Sequence, residues 1–142
     1  MTLDTRATHI ATLAATLGLI FWGASAIGKE QKLSLTGAEE TPPVTTTASG
    51  GGTIKIADDK TVSGSIKTKD IEAIAAHIHV GAPGVAGPPI ITLEKSADGV
   101  WSVPAGAKLT DEQYASFKAG NLYVNVHSPE HKPGEIRAQL KP

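Results

Sequence analysis

The sequence predicts an all-β fold, either a sandwich or a barrel of about eight short strands with one short helix. Apolar and polar residues alternate with a period of two in runs that begin near residue 32, as expected of strands with one buried face. Turn residues separate the runs at the spacing typical of such folds. Aromatic residues make up only 4% of the chain and there is no cysteine, so valine and isoleucine are expected to fill the core without disulfides.

Eight runs carry the alternation and are predicted to be strands. They are KLSLT (32–36), GTIKIA (52–57), TVSGSIK (61–67), AHIHV (76–80), PIITLEK (89–95), GVWSV (99–103), LYVNVHS (122–128) and GEIRAQLK (134–141). Two connections, ADDKT (57–61) and SADGV (96–100), contain the aspartates and the glycine of hairpin turns. GAPGVAGPP (81–89) has glycine at every third position, but it is far too short for a collagen helix and is predicted to be a stiff loop.

One segment, TDEQYASFKAG at 110–120, predicts a helix. Thr110 is a suitable N-cap, and Gln113 completes a capping box three residues later. Gly120 is a suitable stop. We expect this helix to carry the chain from one sheet to the other.

An uncharged apolar run, Ile10 to Ile27, precedes the strands. Ala24–Ala26 has the A-x-A pattern of a cleavage site, so the run is one candidate for a cleaved secretory signal. It is equally a candidate for an uncleaved anchor, because about 18 apolar residues is close to the shortest length that spans a bilayer. Both interpretations place the following domain outside the cytoplasm. The predicted organisation is a cytoplasmic tail at 1–9, the anchor or signal at 10–28 and a β-domain at 31–142.

The anchor interpretation also predicts partners. Small residues spaced three or four apart form a stripe on which another helix can pack closely; they are Ala11, Ala14, Ala15 and Gly18. Trp22 is placed near the outer interface of the bilayer, where tryptophan is enriched. The expected partners are therefore the bilayer and the subunits of a membrane protein complex. A net charge of -1 argues against nucleic acid as a partner.

Three histidines form a candidate metal site. Residues two apart in a strand share a face, so His77 and His79 lie on one side and Ile78 on the other. His127 likewise shares a face with Asn125. If the two strands are neighbours, their apolar faces point to the core and the histidines meet on the outside. There they could bind copper or zinc and leave one coordination position open.

Further residues are candidates for supporting this site. His131, in the following loop, is a candidate fourth ligand. Asn125 and Glu135 are candidates for hydrogen bonds that orient a ligand. The alternative that these are ordinary surface histidines stays open. No G-x-S-x-G, H-E-x-x-H or cysteine nucleophile occurs, so no catalytic residue is predicted and the chain is not expected to be an enzyme.

Three segments resemble the CHRD domain, a repeat first described in chordin and common in bacterial secreted proteins. They are LTGAEETPPVTTTASGGGTIKI (35–56), AAHIHVGAPGVAGPPII (75–91) and GNLYVNVHSPEHKPGEIRAQL (120–140). The resemblance covers nearly all of 33–141. It implies an immunoglobulin-like Greek-key sandwich, a fold likened to copper–zinc superoxide dismutase.

The dismutase likeness implies a ligand set. The dismutase copper site also uses an H-x-H strand and a histidine on a nearby strand, which here correspond to His77, His79 and His127. This chain departs from the dismutase pattern, because it has no matching acidic zinc ligand, no recognisable bridging histidine and no disulfide. Dismutase activity is therefore not expected even if copper binds.

Three functional hypotheses follow, of which the first is our prediction and the other two are the alternatives. In the first, the chain is anchored in a bacterial inner membrane with its C-terminal domain in the periplasm. It is then a non-catalytic accessory or structural subunit of a larger complex, docking through a sheet edge or the 81–89 loop. In the second, it is a periplasmic copper-binding protein for metal storage, delivery or redox chemistry. In the third, it is a free secreted binding module without its first 26 residues.

Overall fold

The computed structural model describes residues 27–142, which form nine strands and one α-helix. The elements are β1 (Gly28–Leu35), β2 (Ser49–Ala57), β3 (Val62–Lys69), β4 (Ala75–Val80), β5 (Pro89–Thr92), β6 (Glu94–Ala97), β7 (Val100–Ser102), α1 (Asp111–Lys118), β8 (Leu122–His127) and β9 (Ile136–Leu140). A 3-10 turn, Gly37–Glu39, follows β1.

The predictions for the N-terminal segment lie outside the described residues. They concern the tail at 1–9, most of the 10–28 run, the small-residue stripe and Trp22. At the boundary, Gly28 belongs to β1, so the first strand starts three residues before the predicted domain limit. None of the helices found between residues 27 and 142 has the length and apolarity needed to cross a bilayer.

The strands form two antiparallel sheets, so the predicted all-β fold is confirmed as a sandwich and not a barrel. One sheet has the order β1-β2-β3-β7-β6 and the other β5-β4-β8-β9. Both contribute to a single core of aliphatic side chains, among them Leu35, Ile54, Ile66, Ile78, Val124, Val126 and Ile136. At one side the sheets are joined by backbone hydrogen bonds between Thr36 and Arg137.

The strands that carry the histidines are neighbours, as the metal-site prediction requires. β4 pairs with β8 so that His77 lies opposite Asn125 and His79 opposite Tyr123. The intervening Ile78 and Val124 are fully buried in the core. The period-two alternation therefore places the two histidines of β4 on the face of the sheet that points away from the other sheet.

One predicted strand is two strands in the structure. The run at 89–95 divides into β5, in the four-stranded sheet, and β6, in the five-stranded sheet. Leu93 lies between them, is buried, and still donates its backbone N–H to the carbonyl of Ala76 in β4. The alternation continues across this crossing because Leu93 stays in the core, so periodicity alone contains no sign of the change of sheet.

The predicted helix and its capping box are confirmed. The Thr110 hydroxyl accepts from the backbone N–H of Gln113 at 3.2 Å, and the Gln113 side chain accepts from the Thr110 N–H at 2.9 Å. Gly120 has a φ of 77° just after the helix, a conformation that glycine adopts without strain. The helix leads from β7 in one sheet to β8 in the other, as expected.

We expect Thr110→Ala to lower the free energy of unfolding by about 1 kcal/mol, because it removes the side-chain acceptor for the first turn of α1. Urea denaturation measures the change. Thr47→Ala, at an exposed loop position, is the matched control and should change stability by less than about 0.5 kcal/mol. Equal losses for the two variants would contradict the importance of the cap.

Candidate metal centre

His77, His79 and His127 converge on the outer face of β4 and β8. One ring nitrogen from each histidine lies within 4.8 Å of the other two. The closest pair is His77 Nδ1 and His127 Nε2, 2.9 Å apart. For comparison, two nitrogens bound to one tetrahedral zinc ion are roughly 3.3 Å apart. The group is thus close to the size that a single ion requires.

Hydrogen bonds to backbone carbonyls fix the protonation of two of the rings. A carbonyl oxygen only accepts, so His79 Nδ1, 2.8 Å from the carbonyl oxygen of Gly87, carries a proton. The same holds for His127 Nδ1, 2.7 Å from the carbonyl oxygen of Lys132. In each ring, when neutral, Nε2 is the unprotonated nitrogen and carries a lone pair. Metal-binding histidines usually show this arrangement, in which the second ring nitrogen donates to a carbonyl or carboxylate.

The third ring completes the set. Since His127 Nε2 has a lone pair, His77 Nδ1 is the donor of the 2.9 Å hydrogen bond between them. The metal-free site therefore holds one proton between two imidazole nitrogens. If that proton moved to Nε2 of His77, the other tautomer of the neutral ring, both nitrogens would be available to a cation.

His79 lies on the outer face of the sheet, as predicted, but it is not exposed to solvent. Its exposed fraction is only 6%, whereas His77 and His127 are partly buried. The cause is the 81–89 loop, which folds back so that Gly87 contacts the His79 ring. Gly87 has no room for a side chain, because a Cβ there would collide with the Val80 carbonyl. The ring of Tyr123 lies on His79 with centroids 4.8 Å apart and planes 8° apart.

A buried polar layer surrounds the histidines on this face. Asn125 is 1% exposed and donates from Nδ2 to the Pro133 carbonyl at 3.2 Å. Arg137, also 1% exposed, lies 3.5 Å above the Tyr123 ring. Glu40 approaches from the segment after the 3-10 turn, and Gly134 admits both Glu40 and Asn125 because it lacks a side chain. The outer face of this sheet is therefore a second, polar interior.

This environment favours the neutral forms of His77 and His79. Burial lowers the pKa of His77, and the neighbouring His127 and His79 add to the effect. Burial also lowers the pKa of His79, although the Gly87 carbonyl partly opposes it. In the same layer, burial raises the pKa of the Glu40 carboxyl against the influence of Asn125 and Arg137. Neutral imidazoles are the form that binds metal ions, so little proton competition is expected near pH 7.

Unpaired polar atoms are concentrated here. Five buried side-chain atoms among residues 27–142 have no hydrogen-bond partner, and three of them belong to this layer: Glu40 Oε1, His79 Nε2 and Asn125 Oδ1. Such an atom costs about 1–3 kcal/mol. His79 Nε2 is one of the free lone pairs identified above, so a bound cation would satisfy it. The donor set present thus fits a copper or zinc ion.

The other predicted site residues have different outcomes. Asn125 lies in the polar layer and donates to the Pro133 carbonyl, so its role in orienting a ligand stays a prediction. His131 does not join the three-histidine group; its backbone forms the turn with Ser128 and Gly134 instead. Glu135 is buried but accepts from Thr46 Oγ1 at 2.6 Å, so it orients the 46–48 segment and not a histidine.

Sequence reasoning missed three contributors to the site: Arg137, Tyr123 and Glu40. Tyr123 and Arg137 do follow the period-two pattern of the face that carries Asn125. One further signal was available for Arg137. The chain has 13 lysines and arginines, of which only Arg6 and Arg137 are arginine, and arginine is favoured where a planar group must stack or bridge.

Comparison with known proteins supports the family suggested by the motifs. Residues 32–140 match the model of the CHRD domain family. The chain belongs to the CHRD family. No curated protein and no solved structure matches it, so the likeness to superoxide dismutase stays a prediction. The matched residues of the CHRD domain include all nine strands except the first residues of β1, and they include the complete histidine group.

We expect the metal-free CHRD domain to lose stability on acidification through the histidine range. In the folded protein the pKa values of His77 and His79 lie below the ordinary value of 6.5. At a pH between the ordinary and the lowered values, the unfolded chain therefore binds more protons than the folded chain. The contribution of these two groups to the free energy of unfolding is fully present above about pH 6.5 and is lost as the pH falls through the lowered values.

Urea denaturation of metal-free protein at pH 7.5 and 5.5 measures this dependence. The double variant His77→Gln, His79→Gln should show a smaller loss between the two pH values than the unaltered chain. An equal loss in both proteins would show that other groups cause the acid sensitivity.

Proposed function

We propose that this chain is an extracytoplasmic binding module that holds one copper or zinc ion on His77, His79 and His127 and catalyses no reaction itself. Two hydrogen bonds carry the proposal. His79 and His127 each donate from Nδ1 to a backbone carbonyl, of Gly87 and Lys132 respectively, so the Nε2 atoms of both rings are unprotonated. Metal-binding histidines usually donate from their second ring nitrogen in this way. Membership of the CHRD family supports a binding-type module but identifies no ligand.

The donor atoms favour copper(II) first and zinc second. All three are imidazole nitrogens, and the chain has no cysteine to supply a thiolate. Nitrogen ligands suit copper(II) and zinc, and the intrinsic order of affinity places copper(II) above zinc. A bound ion would supply a Lewis-acid or redox centre with room for an exchangeable ligand. Such a site is suited to storage or delivery of the metal.

We expect the protein to bind one copper(II) per chain, and each of His77→Gln, His79→Gln and His127→Gln to weaken binding by roughly a hundredfold or more, because each removes a ligand. Titration against a competing chelator measures the affinity. Electron paramagnetic resonance of the copper(II) form should show coupling to nitrogen that decreases in the variants.

The matched control is His131→Gln, which makes the same chemical change at a histidine outside the group. It should leave the affinity within about twofold of the unaltered protein. The proposal fails if the unaltered chain binds no stoichiometric copper or zinc, or if His131→Gln weakens binding as much as the other three variants.

Membrane anchoring is a second proposal, compatible with the first. The apolar run ends at Ile27, and β1 begins at the next residue, Gly28. If the run is retained, no linker separates the bilayer from the sandwich, and the domain is held at the membrane surface beside any partner subunit. This placement suits an accessory subunit of a bacterial inner-membrane complex with its domain in the periplasm. A cleaved run would instead release a soluble secreted module.

Intact mass of the chain from native membranes distinguishes these outcomes. We expect a membrane-bound chain that retains residues 1–26 and migrates within a larger complex after extraction in mild detergent. Replacement of residues 1–26 by a known cleavable signal should release the domain without changing its copper affinity. A natural mature chain that starts at Ile27 in the soluble fraction would overturn the anchoring proposal and leave the metal proposal untouched.

A further inference from the structure

Arg137 is joined to the 81–89 loop by two hydrogen bonds. Its guanidinium donates from Nη1 to the carbonyl of Val85 at 3.0 Å and from Nη2 to the carbonyl of Ala82 at 2.9 Å. The loop lies across the outer face of the sheet, and its tip residue Val85 is 51% exposed. Arg137 itself is almost completely buried beneath it. The guanidinium therefore ties an exposed loop to an interior strand.

The same loop reaches the metal ligand through Gly87. The Gly87 carbonyl accepts from His79 Nδ1 at 2.8 Å. The Tyr123 hydroxyl accepts from the Gly87 N–H at 3.1 Å and lies 3.3 Å from its carbonyl oxygen. Tyr123 also contacts both His79 and Arg137, because the His79 ring stacks on its ring and the Arg137 guanidinium lies over it. The position of the loop and the tautomer of His79 thus depend on one set of contacts.

Arg137 forms no direct ion pair within residues 27–142, although Glu40 and Glu39 act on its charge from a longer distance. In the described part of the chain, no carboxylate oxygen lies within 4 Å of its guanidinium. Its remaining donors go to Gln139 Oε1 at 2.8 Å and Thr41 Oγ1 at 3.4 Å. A buried cation is costly unless its donors are satisfied. Here two loop carbonyls accept hydrogen bonds from the guanidinium, so the loop and the arginine stabilise each other.

We infer that Arg137 is a positioning residue that holds the 81–89 loop closed over His79, and that opening of this loop limits how fast the metal ion enters and leaves. This inference rests on the proposed metal function. Lysine cannot replace the arginine, because a single ammonium group does not present the planar fork that spans two carbonyls. Opening of the loop would remove the Gly87 carbonyl from His79 and expose the ring to water.

The test compares Arg137→Lys with a matched control, Ile136→Val. Ile136 is the preceding residue of β9 but faces the core, so its variant reduces stability without touching the loop. In metal-free protein, hydrogen exchange of the 81–89 amides should be roughly tenfold faster or more in Arg137→Lys only. Nitrogen-15 spectra of the His79 ring should show a single Nδ1–H tautomer in the unaltered protein and a mixture in Arg137→Lys.

The rate of copper(II) transfer to a chelator is the functional readout. We expect release to be roughly tenfold faster or more in Arg137→Lys, with Ile136→Val close to the unaltered protein. Tyr123→Phe, which keeps the ring but removes the hydroxyl contacts with Gly87, should change exchange and release in the same direction, and it serves as the test if Arg137→Lys does not fold.

Two results would overturn the inference. One is unchanged loop exchange and an unchanged His79 tautomer in the folded variants. The other is faster exchange with no change in the rate of metal release, which would limit Arg137 to a structural role. A failure of the unaltered chain to bind metal is a separate outcome. It removes the proposed function and with it the role of the loop in metal exchange, while the metal-free measurements still decide whether Arg137 holds the loop.

Discussion

The burial of Arg137 on the outer face of the four-stranded sheet is the constraint on which the site depends. A cation that is 1% exposed must have its donors satisfied, and the strand that carries it supplies only Gln139. The other acceptors come from segments far away in the sequence: two carbonyls of the 81–89 loop and the Thr41 hydroxyl. These segments therefore fold over a sheet face that would otherwise meet water, and they bury His79.

The two faces of this sheet are stabilised by different physical effects. The inner face is aliphatic, and the burial of side chains such as Ile78 and Val124 supplies hydrophobic free energy in proportion to the area removed from water. The outer face buries polar groups, whose net contribution to stability is small and whose unpaired atoms are costly. The polar groups instead hold the side chains in one arrangement, in which the Gly87 carbonyl fixes the tautomer of His79. Such a polar layer contributes more to the geometry of the site than to the stability of the fold.

The parts of this structure that depend on local patterns could be predicted from the sequence. Alternation identified the runs that form strands and placed His77 and His79 on one face, and the capping box at Thr110 located the helix. The parts that depend on distant segments could not. Alternation shows which face a residue occupies but not what covers that face, so the burial of His79 was missed. The change of sheet at Leu93 was missed for a similar reason, since a residue that stays in the core leaves the pattern intact.

The same covering loop explains why the three histidines differ in exposure. His77 and His127 are partly buried near the open side of the group, whereas His79 lies beneath Gly87 and against Tyr123. The loop is suited to move as a unit, because Pro83, Pro88 and Pro89 restrict its backbone and its contacts converge on Arg137 and Tyr123. In the proposed metal site, an ion that approached from solvent would meet the two more accessible rings first. Its retention would then depend on the third ring, whose orientation is set by a loop and not by the strand that carries it.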